Sequence, residues 1–158
     1  MKRKLRNVFL ALLACGTCFA AACSSVPNES PAPLCKLVEN RNVAAEIVLD
    51  FDRQHWRADG PNGFEPEDYA ARELQSWIGS ITGSFVPIVA KPTANPAVRT
   101  RLFVGTNFAK DLFKDDLKKM RGSDGFAVRT TVGEEGVRNI YLFGAISRGT
   151  LHSVYEFL

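Results

Sequence analysis

The last twenty residues of the chain constrain its fold most, because they read as a strand, a glycine turn and a helix in direct succession. Residues 139–143 predict the strand, and the helix follows from about residue 147. Apolar residues recur in this helix at intervals of three and four, so they form one stripe that must pack against other protein. The stripe comprises Leu151, Val154, Tyr155 and Leu158.

This stripe sets an expectation about what lies beyond the chain. Neither a glycine cap nor a basic last turn follows the helix, so the sequence contains no signal that ends it. We therefore expect the chain to be the front module of a longer protein. We expect the four apolar side chains of the stripe to be buried in an interface with the next domain.

The first half of the folded part predicts a strand followed by a helix. Residues 44–51 are mostly apolar, which favours an interior strand, and Pro66 suits the first position of a helix. The helix ends before Gly83, which is the residue type expected just after a helix. Its apolar face comprises Ala70, Leu74, Trp77, Ile78 and Ile81.

The second half adds two short strands, a second helix and a hairpin. The strands are predicted at residues 86–90 and 102–104, and Thr106 or Asn107 is expected to cap the second helix. Residues 125–143 then alternate in polarity around a glycine turn, as an antiparallel hairpin does. With the final helix, the predicted order is β-α-β-β-α-β-β-α. It indicates an α+β fold in which helices cover a mixed β-sheet.

The N-terminus carries the features of an export signal. Four basic residues precede residues 8–22, which are almost wholly apolar or small, and three alanines stand directly before Cys23. This apolar run is too short to cross a bilayer comfortably. We predict a signal peptide over residues 1–22.

Cys23, followed by two serines, resembles the acceptor cysteine of a bacterial lipoprotein, whose thiol receives a lipid. Ala20 stands where such signals usually have leucine, and Cys15 is a rival acceptor after a very short apolar run. Simple secretion remains the alternative. We predict lipidation at Cys23, and an exported bacterial protein that the lipid anchors in the membrane, facing the periplasm or the cell surface. Cys35 would then be the remaining free thiol, so no disulfide framework is expected.

Charge and composition divide the chain further. The formal net charge is +3, but all four charged residues of the first 23 are basic, which leaves a mature charge of about −1. This balance argues against a nucleic-acid partner. Residues 23–42 contain three prolines together with serine and asparagine, which is typical of a solvated tether. Residues 43–158 are predicted to form the folded domain.

Residues 144–150 have the glycine spacing of a phosphate-binding loop between a strand and a helix. Such a loop needs lysine after its second glycine, and Thr150 stands in that place. The plainer interpretation is a tight turn with Ser147 as the helix N-cap. Arg148 beside the helix start is a candidate contact for a carboxylate or phosphate.

Other candidate residues give weaker indications. Trp56 lies in a polar segment and is the best candidate to stack on a sugar, whereas Trp77 and Tyr155 are expected in the core. Asp50 and Asp52 could act as a carboxylate pair or simply keep a strand end soluble, and the acidic residues around Glu67 fit a solvated loop. The two histidines have no partners at metal-ligand spacing, so we expect no metal site and no cofactor.

Several motifs resemble an accessory domain of carbohydrate-active enzymes. Residues 69–83 read YAARELQSWIGSITG and are followed by VPIV, and residues 102–106 read LFVGT. Residues 124–128 read DGFAV, and residues 148–158 read RGTLHSVYEFL. This pattern is similar to the N-terminal domain of family 67 α-glucuronidases, of β-hexosaminidase-like enzymes and of related bacterial glycan-degrading lipoproteins. The resemblance covers about residues 43–158.

The resemblance implies a hexosaminidase-accessory-domain-like fold that carries no catalytic residue. In that family the catalytic carboxylates lie on a (β/α)₈ barrel that follows, so the barrel is the partner that the resemblance implies. We accordingly expect the non-catalytic N-terminal domain of an exported glycoside hydrolase that takes part in polysaccharide breakdown. The alternatives are a stand-alone surface protein that binds glycans, and a truncated product without activity.

Overall fold

The computed structural model describes residues 35–50 and 66–158, all of which belong to one compact unit, Pro33–Leu158. The predicted signal peptide, Cys23 and most of the predicted tether lie outside the described residues. The helices are α1 (Pro66–Thr82), α2 (Lys114–Met120) and α3 (Ser147–Phe157). The strands are β1 (Val38–Glu39), β2 (Asn42–Val43), β3 (Ala45–Leu49), β4 (Ile88–Val89), β5 (Thr100–Val104), β6 (Phe126–Val132) and β7 (Arg138–Gly144).

Five of the strands form one mixed sheet in the order β4-β3-β5-β7-β6. Strands β3, β4, β5 and β7 run parallel, and β6 pairs with β7 antiparallel. Every residue of β3 is buried, including Glu46, which is consistent with an interior strand of the sheet. The predicted α+β class with a mixed sheet is therefore confirmed.

The two faces of the sheet pack against different kinds of side chain. Helices α1 and α3 cover one face with an aliphatic core to which Leu74, Ile78 and Val154 contribute. The other face is covered by α2 and the segment before it, and its core consists largely of aromatic rings. Those rings stack or meet edge to face at centroid distances of 4.8–5.5 Å and belong to Phe103, Phe108, Phe113, Tyr141 and Phe143.

A two-stranded hairpin of β1 and β2 precedes the main sheet. Its turn residues, Asn40 and Arg41, have φ values of 52° and 65°, the left-handed conformation that a tight two-residue hairpin turn requires. The amide of Ala44 then donates to the carbonyl of Leu37 at 2.9 Å. This hairpin occupies the last part of the predicted tether and ends at residue 43, where the domain was predicted to begin. The sequence analysis did not predict it, because the turn at Asn40 and Arg41 was not recognised.

The second helix differs from its prediction. Residues Thr106–Ala109 form a 3₁₀ turn, and α2 begins only at Lys114. The two polar side chains expected to cap a helix are bonded elsewhere: Thr106 donates to the carbonyl of Gly144, and Asn107 donates to Asp50. The predicted N-cap of the third helix is also displaced, since Ile146 occupies that position and Ser147 is the first helical residue.

Strand β6 forms one margin of the main sheet, and an arginine lies along it. The guanidinium of Arg129 donates to both carboxylate oxygens of Asp116, at 2.7 and 2.9 Å. A third N–H of the same group donates to the backbone carbonyl of Val128 at 3.0 Å. The hydrogen bonds with Arg129 lower the pKa of Asp116. Asp116 belongs to α2, so this contact joins the helix to the sheet margin.

Candidate functional site

Polar side chains converge where the parallel strands of the main sheet end. Asp50 follows β3, Thr106 and Asn107 follow β5, Glu67 lies in the first turn of α1, and Thr150 lies in the first turn of α3. The chain leaves β3 towards β4 and leaves β5 towards β6, on opposite sides. In open α/β sheets, ligands bind at such a switch point outside the carboxyl ends of the strands.

These side chains form a connected hydrogen-bond network. Glu67 Oε1 accepts from the amide of Thr106 at 3.0 Å and from the hydroxyl of Thr150 at 3.5 Å. The hydroxyl of Thr106 donates to the carbonyl of Gly144 at 2.7 Å, and the amide of Gly144 donates to the hydroxyl of Thr150 at 3.3 Å. The network therefore ties two strand ends to the first turns of two helices.

A second contact brings two strand ends together beside this network. Asn107 Nδ2 donates to Asp50 Oδ2 at 2.7 Å. The negative charge of Asp50 also raises the pKa of Glu67 slightly. Burial is the main reason why the pKa of Glu67 is raised above its ordinary value of 4.5, and its hydrogen bonds with Thr106 and Thr150 partly offset that rise. A carboxyl with a raised pKa near a second carboxylate can exchange protons with a ligand. In this structure Glu67 Oε1 is already bonded to the amide of Thr106 and the hydroxyl of Thr150. The contacts present therefore assign Glu67 a structural role, in which it joins the end of β5 to the first turn of α3.

Replacing Glu67 with glutamine is expected to change how stability depends on pH. The folded pKa of Glu67 is raised, so its contribution to stability is complete below about pH 4.5 and is lost as pH rises through the folded pKa. Glutamine keeps an oxygen for the Thr106 amide but does not titrate. The free energy of unfolding of Glu67→Gln, relative to the native chain, should therefore increase with pH over this range. Urea denaturation between about pH 4 and 8 measures it.

The matched control for this experiment is Glu156→Gln. Glu156 is an exposed carboxyl on α3, so the control makes the same change in total charge. An identical pH profile for the two variants would show that burial of Glu67 has no effect on its titration.

Arg148, the predicted ligand contact at the start of α3, lies in an ion pair. Its Nη1 donates to Asp124 Oδ2 at 3.1 Å, and both side chains are largely exposed. An exposed pair of this kind contributes little stability and can open for a ligand. The pair joins the DGF segment to the RGTL segment, two of the motifs that carry the family resemblance. Its predicted ligand role stays a prediction.

Glycines in these two motifs and at the end of β7 pack backbone against backbone. A Cβ atom on Gly144 would lie 2.5 Å from the Cα of Gly149, and a Cβ on Gly149 would lie 2.6 Å from the carbonyl oxygen of Gly125. The amide of Ala145 donates to that same carbonyl at 3.2 Å. The glycine spacing that resembles a phosphate loop therefore has a packing explanation: it lets α3 approach the ends of β6 and β7.

The predicted interface residues of α3 divide into two pairs. Val154 is fully buried in the core of this domain, and Leu151 is partly buried and packs against that core. Tyr155 and Leu158 are exposed by 46% and 43%. Val154 therefore packs inside its own domain and not against a partner, and Leu151 contributes to the same core. That Tyr155 and Leu158 contact a further domain stays a prediction.

Tyr155 belongs to an aromatic face that α1 and α3 share. Tyr69 on α1 lies near Glu73 on the same helix and near Tyr155 on α3, and its interaction with Glu73 is the main cause of the raised pKa of Tyr69. Trp77 on α1 is half exposed, as are both tyrosines. The expectation that Trp77 and Tyr155 lie in the core is therefore wrong. We call Tyr69, Trp77, Tyr155 and Leu158 the helical face.

The remaining predicted residues are dispersed. Trp56, Asp52 and His55 lie outside the described residues, as does Cys23. His152 is exposed, with its ring 6.2 Å from that of Phe126, and the Cys35 thiol lies 3.8 Å from the hydroxyl of Thr100. Across residues 35–50 and 66–158, no three side chains of metal-binding type cluster together. No helix in these same segments has the length and apolar character needed to span a bilayer.

Sequence reasoning missed the role of Glu67 because that residue stands among other acids that look solvated. Its position directly after Pro66 placed it in the first turn of α1, but nothing in the spacing showed that this turn faces the end of β5. Comparison of the chain with protein-family models gave no match, and comparison with curated proteins gave none either.

Proposed function

We propose that this chain is the non-catalytic N-terminal domain of an exported glycoside hydrolase resembling the α-glucuronidases, with a hexosaminidase-accessory-domain-like fold. Its role is to pack against a catalytic (β/α)₈ barrel and to fix the position of that barrel relative to the tether. The single observation that supports this best is the helical face, which presents large side chains to the outside of a domain that already has two filled cores.

The chemistry of the helical face suits a domain interface. Tyrosine and tryptophan are enriched in interfaces because they bury a large apolar area and keep one polar group that can bond. Tyr69, Trp77 and Tyr155 are each about half exposed, so a partner that covers them would bury a large aromatic area. The same rings could stack on sugars, which is the property that the glycan-binding alternative requires.

Three measurements separate these functions. The coding sequence downstream of residue 158 is expected to continue in frame into a barrel. Purified chain is expected to show no turnover of plant or host polysaccharides. Hydrolysis by this chain alone would refute the non-catalytic role. A stop codon directly after residue 158, together with saturable polysaccharide binding, would support the stand-alone glycan-binding protein instead.

Replacing Tyr155 with aspartate is expected to uncouple the two domains of the complete protein. Tyr155 is half exposed here, and an interface would bury it, so a charge at this position would be desolvated there at a cost of about 2 kcal/mol or more. Calorimetry should show one joint unfolding transition in the native protein and two separate transitions in Tyr155→Asp. Val132→Asp is the control, because Val132 is an exposed apolar residue on β6. Equal uncoupling by both substitutions would contradict an interface at the helical face.

A further inference from the structure

A polar cavity of about 400 Å³ lies at the end of the sheet where β5 and β7 begin. Its walls are the loop between β4 and β5 and the turn between β6 and β7. This volume is within the range of small-molecule sites in proteins, roughly 300–1,000 Å³. None of the residues that line this cavity belongs to the helical face, so a ligand bound here would not occupy the proposed domain interface. Its polar lining comprises Thr93, Asn95, Arg99, Arg101 and Glu134.

Two arginines line this cavity together. Arg99 and Arg101 are two positions apart on an extended segment, and alternate residues of such a segment project from the same side. Arg99 is exposed, and among residues 35–50 and 66–158 no side-chain partner engages it. The cavity therefore holds one cation available to a ligand and a second that the protein itself orients.

The orientation of Arg101 comes from a buried carboxylate. Arg101 Nε donates to Glu46 Oε1 at 2.9 Å, and Nη2 donates to the carbonyl of Thr93 at 2.9 Å. Thr93 also donates its amide and its hydroxyl to Glu46, at 3.0 and 2.6 Å, so both oxygens of Glu46 are bonded. Glu46 is only 1% exposed and is closed to any ligand. Within the described part of the chain, Nη1 of Arg101 makes no hydrogen bond, which leaves it free to donate.

The charges that a ligand can reach are thus two guanidinium groups and the carboxylate of Glu134. Guanidinium groups are suited to bind carboxylates through paired hydrogen bonds. Asn95 Oδ1 accepts from the amide of Ala97 at 3.0 Å, so its Nδ2 can donate to a hydroxyl, and Glu134 can accept from one. We propose that this cavity binds a small hydroxycarboxylate, with the carboxylate on Arg99 and Arg101 and the hydroxyls towards Asn95 and Glu134.

The test is a titration of the purified mature chain with gluconate, followed by shifts of its backbone amide signals in NMR spectra. Sorbitol is the matched probe, because it has the same hydroxylated carbon chain and lacks the carboxylate. Arg99→Gln removes an exposed charge and should leave the fold intact. Arg121→Gln removes the same charge from an exposed site after α2 and serves as the control variant.

Saturable shifts around the cavity are expected with gluconate and not with sorbitol. Arg99→Gln should weaken gluconate binding by about tenfold, the usual effect of losing one charge-assisted hydrogen bond, and Arg121→Gln should not change it. The proposal is overturned if gluconate gives no saturable shift, if sorbitol binds equally well, or if the two arginine variants weaken binding to the same extent.

Discussion

Replacing Gly144 with alanine is expected to destabilise the domain by about 3 kcal/mol or more, enough to unfold much of a marginally stable chain. A Cβ atom at this position would lie 2.5 Å from the Cα and carbonyl carbon of Gly149 and 2.7 Å from the amide nitrogen of Thr150. All three are backbone atoms, so no side chain can move aside to relieve the overlap. Relief requires the first turn of α3 to move away from the sheet, which would also break the bond between Thr150 and Glu67. The midpoint of chemical denaturation measures the loss.

The control for this prediction is the same substitution at Gly79. Gly79 lies inside α1, where a Cβ would meet its nearest neighbour at an ordinary distance of 3.7 Å. Alanine should stabilise that position by about 0.5–1 kcal/mol, because it restricts the unfolded chain and suits a helix. The same change from glycine to alanine is therefore expected to lower the free energy of unfolding at position 144 and to raise it at position 79. Similar stability of the Gly144→Ala variant and the native chain would show that α3 does not approach the sheet as closely as described.

Replacing Arg101 with methionine is expected to cost about 3–5 kcal/mol. The substitution keeps much of the side-chain length but leaves the carboxylate of Glu46, which is 1% exposed, without its cation. An uncompensated buried charge is far more costly than a missing contact at the surface. Equilibrium unfolding in urea gives the change. Lys36→Met is the matched control, because its ion pair with Glu39 is exposed and should contribute about 1 kcal/mol or less.

The double variant Glu46→Leu with Arg101→Met distinguishes charge burial from packing. If the loss in the single variant comes from an orphaned carboxylate, removing that carboxylate should recover part of it. The recovery should be incomplete, because the amide and hydroxyl of Thr93 would lose their acceptor. If the loss of stability in the double variant equals the sum of the losses in Glu46→Leu and in Arg101→Met, the pair contributes no interaction of its own.

The periodicity of apolar residues predicted α1 and the residues at the centre of its buried face. In α1, the buried residues Ala70, Leu74 and Ile78 are members of the predicted apolar face. The same periodicity wrongly included Trp77 and Ile81, which are half to largely exposed. A helical stripe gives the direction of an apolar face but not its width. The width depends on where α3 lies beside α1, and this is a property of the tertiary structure.

The candidate sites were harder to predict, because they consist of contacts between distant segments. Glu67 and Thr106 are bonded across α1 and the end of β5, and Glu46 meets Arg101 across two strands. Neither pair has a spacing that a motif could reveal. Arg148 was recognised from the start of its helix, but its partner Asp124 comes from a turn whose position depends on the glycine contacts. Sequence patterns therefore indicated residue types suited to binding, and the fold determined which of them meet.

The arginine along β6 has a consequence for how this protein behaves when many copies are close together. A bare sheet margin offers its amides and carbonyls to any extended segment, which is how edge-to-edge aggregation begins. Here an incoming strand would first have to displace Arg129 from the Val128 carbonyl and separate it from Asp116. Breaking these charge-assisted bonds raises the barrier to self-association. The contacts of Arg129 therefore protect the β6 edge against pairing with a strand from another copy of the chain.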